Sequence, residues 1–375
     1  MNDTYLVRLI CLALGCLLTN FARAEEALFE QSDVFVSGQD GYFGYRIPAI
    51  ETTPDGTLLA FAEARKYNLG DPGFDENDID LVLKRSTDQG RTWSAMQVVE
   101  DAGDRWSAAN PATLVDRQTG KVWLFYLRGK PGANTNTARP GTDDILILAR
   151  TSTDQGRTWS EPLDLTTTTR DFADGKWRTS VVGPGGAVQD RRGRLIIPLW
   201  RFEPYSVFAA FSEDQGQTWQ RGQIAPGLDG DECQLVELSD GRLLMDVRQQ
   251  KEPHRFHIFS GDGGRTWSAP QPGQTVSPVC CAIERLPAAA GTDERDRILW
   301  TGPKGPKRAN LVVRVSADDA RTFPAEKLIY SGPAAYSDLT ILPDRSVGVL
   351  YERGTQHAYE FLSFTRFNSA WVAAP

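Results

Sequence analysis

The chain has 375 residues, with 41 basic and 49 acidic side chains and a formal net charge of −8 at pH 7. That acidic surplus, with no basic tract to offset it, argues against nucleic acid as a partner. Beyond the N-terminus no apolar run approaches the roughly 18 residues that a membrane-crossing helix requires, so no membrane span is expected.

The first 24 residues place Arg8 before an apolar run and end in Ala22-Arg23-Ala24, a small-x-small site suited to a signal peptidase. Residues 1–24 therefore read as an export signal and residues 25–375 as the mature domain, bound for the periplasm or the medium. Lipid attachment at Cys16 fits less well, because Ala13-Leu14-Gly15 has its small and bulky residues in the wrong order. Cleavage leaves Cys233, Cys280 and Cys281, an odd set that cannot form a complete disulfide framework and reads as small apolar residues on inner strands. Of the histidines, His254, His257 and His357, none has metal-like spacing, so neither a metal nor another cofactor is expected.

After an unpaired strand-like run at residues 32–36, the chain settles into a repeat. Ser-x-Asp-x-Gly-x-Thr-Trp occurs from Ser86 to Trp93, Ser152 to Trp159, Ser212 to Trp219 and Ser260 to Trp267, with a worn copy from Ser316 to Phe323. Successive copies start 48–66 residues apart, the length of a four-stranded antiparallel blade with variable loops. Each box follows one strand-like run and precedes another, so it reads as the turn between strands three and four. Its Ser and Asp suit backbone amides, its Gly a positive φ, and its Trp an apolar plug. Hairpins with turn-prone centres, such as Pro54-Asp55-Gly56, supply strands one and two. The blades fall at residues 45–100, 108–166, 180–224, 232–272 and 280–330. A sixth unit, from 338 to 367, lacks a fourth strand, and residues 32–36 would complete it. The predicted fold is all-β, a six-bladed propeller with repeated Asp boxes.

In such a disc the boxes occupy one face. The start of strand one, the end of strand two and the start of strand three meet at the other. Polar residues at those places are Arg46, Arg65, Asp71, Asn110, Glu232, Arg248, Arg308, Tyr336 and Glu352. Residues 128–144, rich in Gly, Pro, Asn and Thr, form a long connection on the same side and read as a rim loop over the ligand, with a disordered insertion as the competing reading.

Tyr45-Arg46-Ile47-Pro48, the repeated boxes, Glu232-Cys233-Gln234, Arg248 and Tyr336 together resemble the exo-sialidase (neuraminidase) family, over nearly the whole mature chain. That family consists of six-bladed propellers that release terminal sialic acids from glycans. The resemblance implies that Arg46, Arg248 and Arg308 bind the substrate carboxylate, a pairing suited to planar guanidinium groups. It implies Glu352 as the acid that orients the first arginine, Tyr336 as nucleophile and Glu232 as its base. A neutral phenol avoids the repulsion that a carboxylate nucleophile would meet from the sugar's own carboxylate. Asp71 matches the general acid, with Asp75 the alternative in a loop crowded with acids.

Other positions stay open. Arg65 either contacts ligand near the acid or makes a structural bond within the loop, and Glu63 either braces that loop or caps a strand end. Asn110 lines the pocket or fixes the rim backbone. Trp106, Tyr126, Trp200, Arg201 and Tyr205 are candidates for its wall. The reading that results is a monomeric exo-alpha-sialidase acting on sialylated glycoproteins, glycolipids or oligosaccharides with retention, through a sialyl-tyrosine intermediate. Sialyl transfer, an intramolecular reaction and a noncatalytic sialoglycan-binding propeller are the alternatives.

Overall fold

The computed structural model describes residues 25–291 and 295–374; the expected export signal lies outside them. The strands pair into six antiparallel units, the blades of a β-propeller. Blade one runs Gly44–Thr52, Leu58–Arg65, Ile79–Ser86 and Gln97–Glu100. Blade two repeats the pattern with Ser107–Val115, Val122–Gly129, Ile145–Ser152 and Leu163–Asp164. Blade four does so with Cys233–Glu237, Leu243–Val247, His254–Ser260 and Gln271–Thr275. Leu58–Arg65 is buried at every position, as expected where a strand is covered on both faces by neighbouring sheets.

Blade three departs from this regularity. Its inner strand is broken into Thr179–Val182 and Val188–Gln189, both paired with Leu195–Phe202. Between them Gly185–Gly186 crosses over to pair with Ala112 and Thr113 of blade two. No side chain fits there, since a Cβ on Gly185 would stand 1.8 Å from the Gln234 amide nitrogen.

Blades five and six share one strand. Ala325–Ile341 pairs with Ala309–Ser316 over its first part and with Val347–Arg353 over its second. The sequence, with Ser331-Gly332-Pro333 in the middle, suggests two strands, but the pairing continues through irregularities in register. Blade six is then completed by Phe361–Phe367 and, as predicted, by the N-terminal strand Phe29–Val36, which pairs from Phe29 opposite Phe367 to Val36 opposite Phe361 with one slip in register between Asp33 and Phe35. The three cysteines are buried and unbonded. No helix among the described residues is long and apolar enough to cross a membrane.

The boxes do more than turn the chain. In the first, Ser86 Oγ accepts from the Gly90 N–H at 2.8 Å, and the Asp88 carboxylate accepts from the Thr92 N–H at 2.9 Å and the Thr92 hydroxyl at 2.6 Å. Its indole packs edge-on against Phe364 of blade six, with ring centroids 5.5 Å apart. Trp159 of blade two meets Phe61 of blade one, and Trp219 of blade three meets Trp123 and Phe125 of blade two. Each of these boxes fastens its own blade to the preceding one, so the repeat carries the interblade core.

The box glycine serves both tasks. Gly216 has φ +86°, and a Cβ there would lie 2.2 Å from the Trp123 ring of blade two. Gly216→Ala is therefore expected to lower unfolding free energy by about 2–3 kcal/mol in a denaturant titration. Gly227 also has a positive φ, but nothing lies within 4 Å of its Cβ position, so Gly227→Ala should cost only about 1 kcal/mol. Equal losses in the two variants would refute the interblade contact as the source.

Candidate active site

Three inner strands bulge where they reach the mouth of the disc. Pairing slips between Arg46 and Ala49, between Ala109 and Ala112, and between Ala334 and Ser337. In the first two, the residue before a proline takes a left-handed backbone: Ile47 at φ 54° and Asn110 at φ 54°. For a β-branched residue this is a strained conformation, and it persists because the surroundings fix it. The Ile47 N–H donates to Glu352 Oε1 at 3.1 Å, and the Asn110 N–H to Glu63 Oε1 at 2.9 Å. In each blade a carboxylate from the blade before captures the bulged amide.

Glu352, with no exposed surface, also accepts from Arg46 Nε at 2.6 Å and from the Tyr336 N–H at 3.1 Å. Burial works against the Arg46 charge, but the adjacent Glu352 more than compensates and holds the guanidinium protonated. Glu63, equally buried, binds Arg65 through Nε at 3.1 Å and Nη2 at 2.6 Å. Arg65 in turn donates to Asp71 Oδ1 at 3.0 Å and to the Leu69 carbonyl at 2.5 Å. The open reading of Glu63 is thereby resolved: it braces both the acid-bearing loop and the neighbouring bulge.

These residues border a cavity of about 240 Å³. Arg46, Arg65, Asp71, Asn110, Glu232, Arg248, Arg308 and Tyr336 all line it, and Glu352 lies directly behind Arg46 and Tyr336. The Tyr336 hydroxyl is 2.6 Å from Glu232 Oε2 and 2.8 Å from Oε1, and Arg248 Nη1 donates to that hydroxyl at 2.8 Å. Arg248 Nη1 also bonds Glu232, while its buried Nε has no hydrogen-bond partner. Arg308 donates to the Tyr359 hydroxyl at 2.8 Å, and its guanidinium lies 5.4 Å from the centre of the Tyr336 ring.

The electrostatics separate the ionisable groups. Burial lifts the Tyr336 phenol well above its ordinary value, Glu232's charge adding to the rise and Arg248 opposing it. A phenol in this state keeps its proton until a base takes it. At Asp71, whose side chain is largely exposed, partial desolvation favours the neutral carboxyl, but Arg65 and Arg46 prevail and pull it below the usual range. Asp71 therefore rests ionised, within 3.9 Å of Arg46 Nη1. Asp75, the alternative acid, does not line the cavity; its carbonyl accepts from the Asn68 side chain.

The wall candidates divide. Trp200 and Tyr205 reach the cavity. Trp106 and Tyr126 do not: the fully buried Tyr126 turns to the other side of its strand and donates to Glu100 Oε2 at 2.9 Å, while neighbouring Leu127 faces the cavity. Arg201 is likewise a packing residue, stacked on Trp177 at 4.1 Å and paired with Asp174 at 3.1 Å. The long connection is an ordered rim rather than an insertion: Asn134 and Thr135 line the cavity, and Asn134 Nδ2 donates to the Gly73 carbonyl at 3.0 Å.

Sequence reasoning missed Asp231, Gln250, Phe74 and Tyr359. Asp231 Oδ2 accepts from Gln250 at 2.7 Å, beside Arg248 Nε at 3.6 Å, and burial pushes its carboxyl up against the pull of that arginine. Tyr359 stands just before strand three of blade six, a position on the predicted face, and Arg46 lies 4.1 Å from the centre of its ring. A larger cavity of about 470 Å³ opens between the far ends of the inner strands, lined by Glu51, Arg117 and Glu284 among others. It has no counterpart of the tyrosine–glutamate pair.

Comparison with known proteins agrees with this geometry. The family model for a BNR repeat-like domain matches residues 56–350. A sialidase from Micromonospora viridifaciens is 35% identical over 374 residues, covering 92% of this chain and 55% of that protein. Sialidase-2 from Cricetulus griseus is 32% identical over 366 residues, covering 87% of this chain and 93% of that protein. Among solved structures, a Hadza microbial sialidase superposes with a TM-score of 0.80 at 26% identity, covering 90% of this chain and 68% of that one. The chain thus spans little more than half of the Micromonospora relative and nearly all of the Cricetulus one. By its repeat model, its sequence relatives and its six-bladed architecture, the chain belongs to the sialidase family of BNR-repeat propellers.

Proposed function

We propose that the protein is an exo-alpha-sialidase, hydrolysing terminal sialic acids from glycoconjugates with retention at the anomeric carbon. The observation that carries this reading is the Tyr336 hydroxyl held at 2.6 Å from the Glu232 carboxylate in a cavity bordered by four arginines, Arg46, Arg65, Arg248 and Arg308. The relatives named as sialidases support the same reading.

Arg46, Arg248 and Arg308 together offer a planar, positively charged cradle for the sugar's carboxylate. Anion binding draws Arg248 toward the substrate and leaves the phenol to Glu232 alone. Glu232 then accepts the phenolic proton while Tyr336 oxygen attacks the anomeric carbon. The glycosidic C–O bond breaks, and Asp71 protonates the departing oxygen. Water, deprotonated by the resulting Asp71 carboxylate, attacks the same carbon, and the tyrosyl oxygen leaves and recovers its proton from Glu232. Two displacements at one carbon give net retention. Arg65 and Glu63 position Asp71, and Glu352 positions Arg46 and Tyr336. Export through residues 1–24 to the periplasm or medium belongs to the same proposal, since sialylated glycans are met outside the cytoplasm.

Tyr336→Phe removes the attacking oxygen at nearly constant volume. Its kcat on a sialoside should fall on the order of a hundredfold or more, with a thermal midpoint close to wild type. Normal initial rates in that variant would overturn the mechanism.

The acid makes a second expectation. In the free enzyme Arg65 and Arg46 hold the Asp71 carboxyl low, and a bound carboxylate offsets part of the Arg46 charge. Asp71 must be protonated to act, so activity falls as pH rises through its pKa. The alkaline limb of kcat should therefore lie at higher pH than that of kcat/KM, and Asp71→Asn should remove the limb. Coincident limbs in pH–rate profiles would count against Asp71 as the acid.

A further inference from the structure

Below the tyrosine–glutamate pair, the chain segments that carry it are joined a second time. Tyr336 and Asp338 both belong to Ala325–Ile341 of blade six, while Glu232 and Gln234 flank the first residue of Cys233–Glu237 in blade four. At the mouth the Tyr336 hydroxyl stands 2.6 Å from Glu232 Oε2. One step deeper, Gln234 Nε2 donates to Asp338 Oδ1 at 3.0 Å. The two strands lie in separate sheets, so no backbone ladder joins them and side chains span the gap.

The deeper pair is buried and held from several directions. Asp338 Oδ2 accepts from the Ile50 N–H of blade one at 2.8 Å. Gln234 Nε2 also donates to the Pro184 carbonyl at 2.9 Å, and its Oε1 accepts from the Ile283 N–H of blade five at 3.2 Å. A Cβ on Gly185 would stand 2.6 Å from Asp338 Oδ1, so backbone closes a further side. Burial lifts the Asp338 carboxyl to about 7, while the donors from Ile50 and Gln234 favour its charged form; Glu284 and Glu51 are the ionisable neighbours that act with it.

We infer that Gln234 and Asp338 are positioning residues for the reaction, their hydrogen bond setting how far apart the two strands stand where the Tyr336 phenol meets Glu232. The inference rests on the hydrolase reading above. Tyr336 sits in a slip of pairing and Glu232 just outside its strand, so regular pairing fixes neither. Asp338 and Gln234 lie where it has resumed, opposite Leu350 and Asp246. A displacement of about 1 Å at a reacting group costs up to about a hundredfold in rate. The spacing of these strands therefore bears on attack by the phenol, whereas the sugar's carboxylate is held by the arginines of the rim.

The test uses sialyl fluoride, whose leaving group needs little help from an acid, so that kcat/KM reports the attack by Tyr336. The Ki of 2-deoxy-2,3-didehydrosialic acid, a competitive inhibitor, reports the anion site. In Asp338→Asn either orientation of the new amide turns a donor toward a donor, the Ile50 N–H or Gln234 Nε2. Its kcat/KM should fall on the order of tenfold or more while Ki stays within about twofold. Thr340→Val removes the 2.7 Å hydroxyl contact between the same blade-six strand and Thr52 of blade one, and should leave both constants within about twofold. An unchanged kcat/KM in Asp338→Asn, or a rise in Ki that matches its loss, overturns the inference. Gln234→Glu asks the same question without depending on how that variant folds. Its carboxyl can share one proton with Asp338 and so restore the bond, and raising the pH removes that proton. The ratio of its kcat/KM to that of wild type should therefore fall as pH rises; a ratio independent of pH also overturns the inference. If wild-type protein releases no sialic acid from sialyl fluoride above the spontaneous rate, the hydrolase reading itself fails, a result distinct from any difference among active variants.

Discussion

The site depends on one buried carboxylate. Glu352 accepts from Arg46 Nε, from the amide of the strained Ile47 and from the amide of Tyr336. It thus joins the first arginine of blade one to the tyrosine of blade six across the seam where the ring closes. Burying a charge is costly unless it is paired and fully hydrogen-bonded, and here the pairing defines the positions of two groups that contact the same cavity. Glu63 repeats the device one blade further on, with Arg65 and Asn110 as its partners. The mouth is therefore assembled in part by bonds between blades, which set the positions of Arg46, Tyr336 and Asn110, while Asp71 and Asn134 come from the loops above.

That arrangement also explains how opposing charges coexist in a small space. Three arginines, two glutamates and an aspartate surround the Tyr336 phenol or its immediate supports. The phenol stays protonated because burial outweighs the pull of Arg248, whereas the largely exposed Asp71 stays ionised because Arg65 and Arg46 favour its charged form. An anionic ligand beside Arg46 and Arg248 would weaken their hold on Asp71 and Tyr336, so that binding and proton redistribution would be coupled.

Much of this was legible in the sequence. The boxes gave the spacing and five of the six blades, because the first four each place a Gly at positive φ and a Trp between sheets; in the worn fifth copy Ala320 takes the positive φ and Phe323 the place of the Trp. The closing strand was legible from simple accounting, one unpaired run and one incomplete blade. Arg46, Glu232, Arg248, Arg308 and Tyr336 were found because rim positions recur in each repeat. What escaped were facts of direction. Tyr126 and Leu127 are adjacent, and only the pleat decides which faces the mouth. The broken inner strand of blade three, crossing at Gly185–Gly186 to blade two, has no periodic signal. Tyr359 satisfied the rim rule but carries no motif. Asp231 was overshadowed by its neighbour Glu232.

The seam at blade six has a consequence for how the molecule forms. Phe29–Val36 and Phe361–Phe367, a single antiparallel pair, come from opposite ends of the chain, whereas the inner three strands of every blade follow one another closely. Loop-closure entropy makes such a distant pairing a late one. The earliest strand to be synthesised must wait for the last, and until they meet, Glu352 has no Arg46 to hold. Ring closure and completion of the arginine cradle are the same step, so a chain that has not finished folding has no anion site to offer.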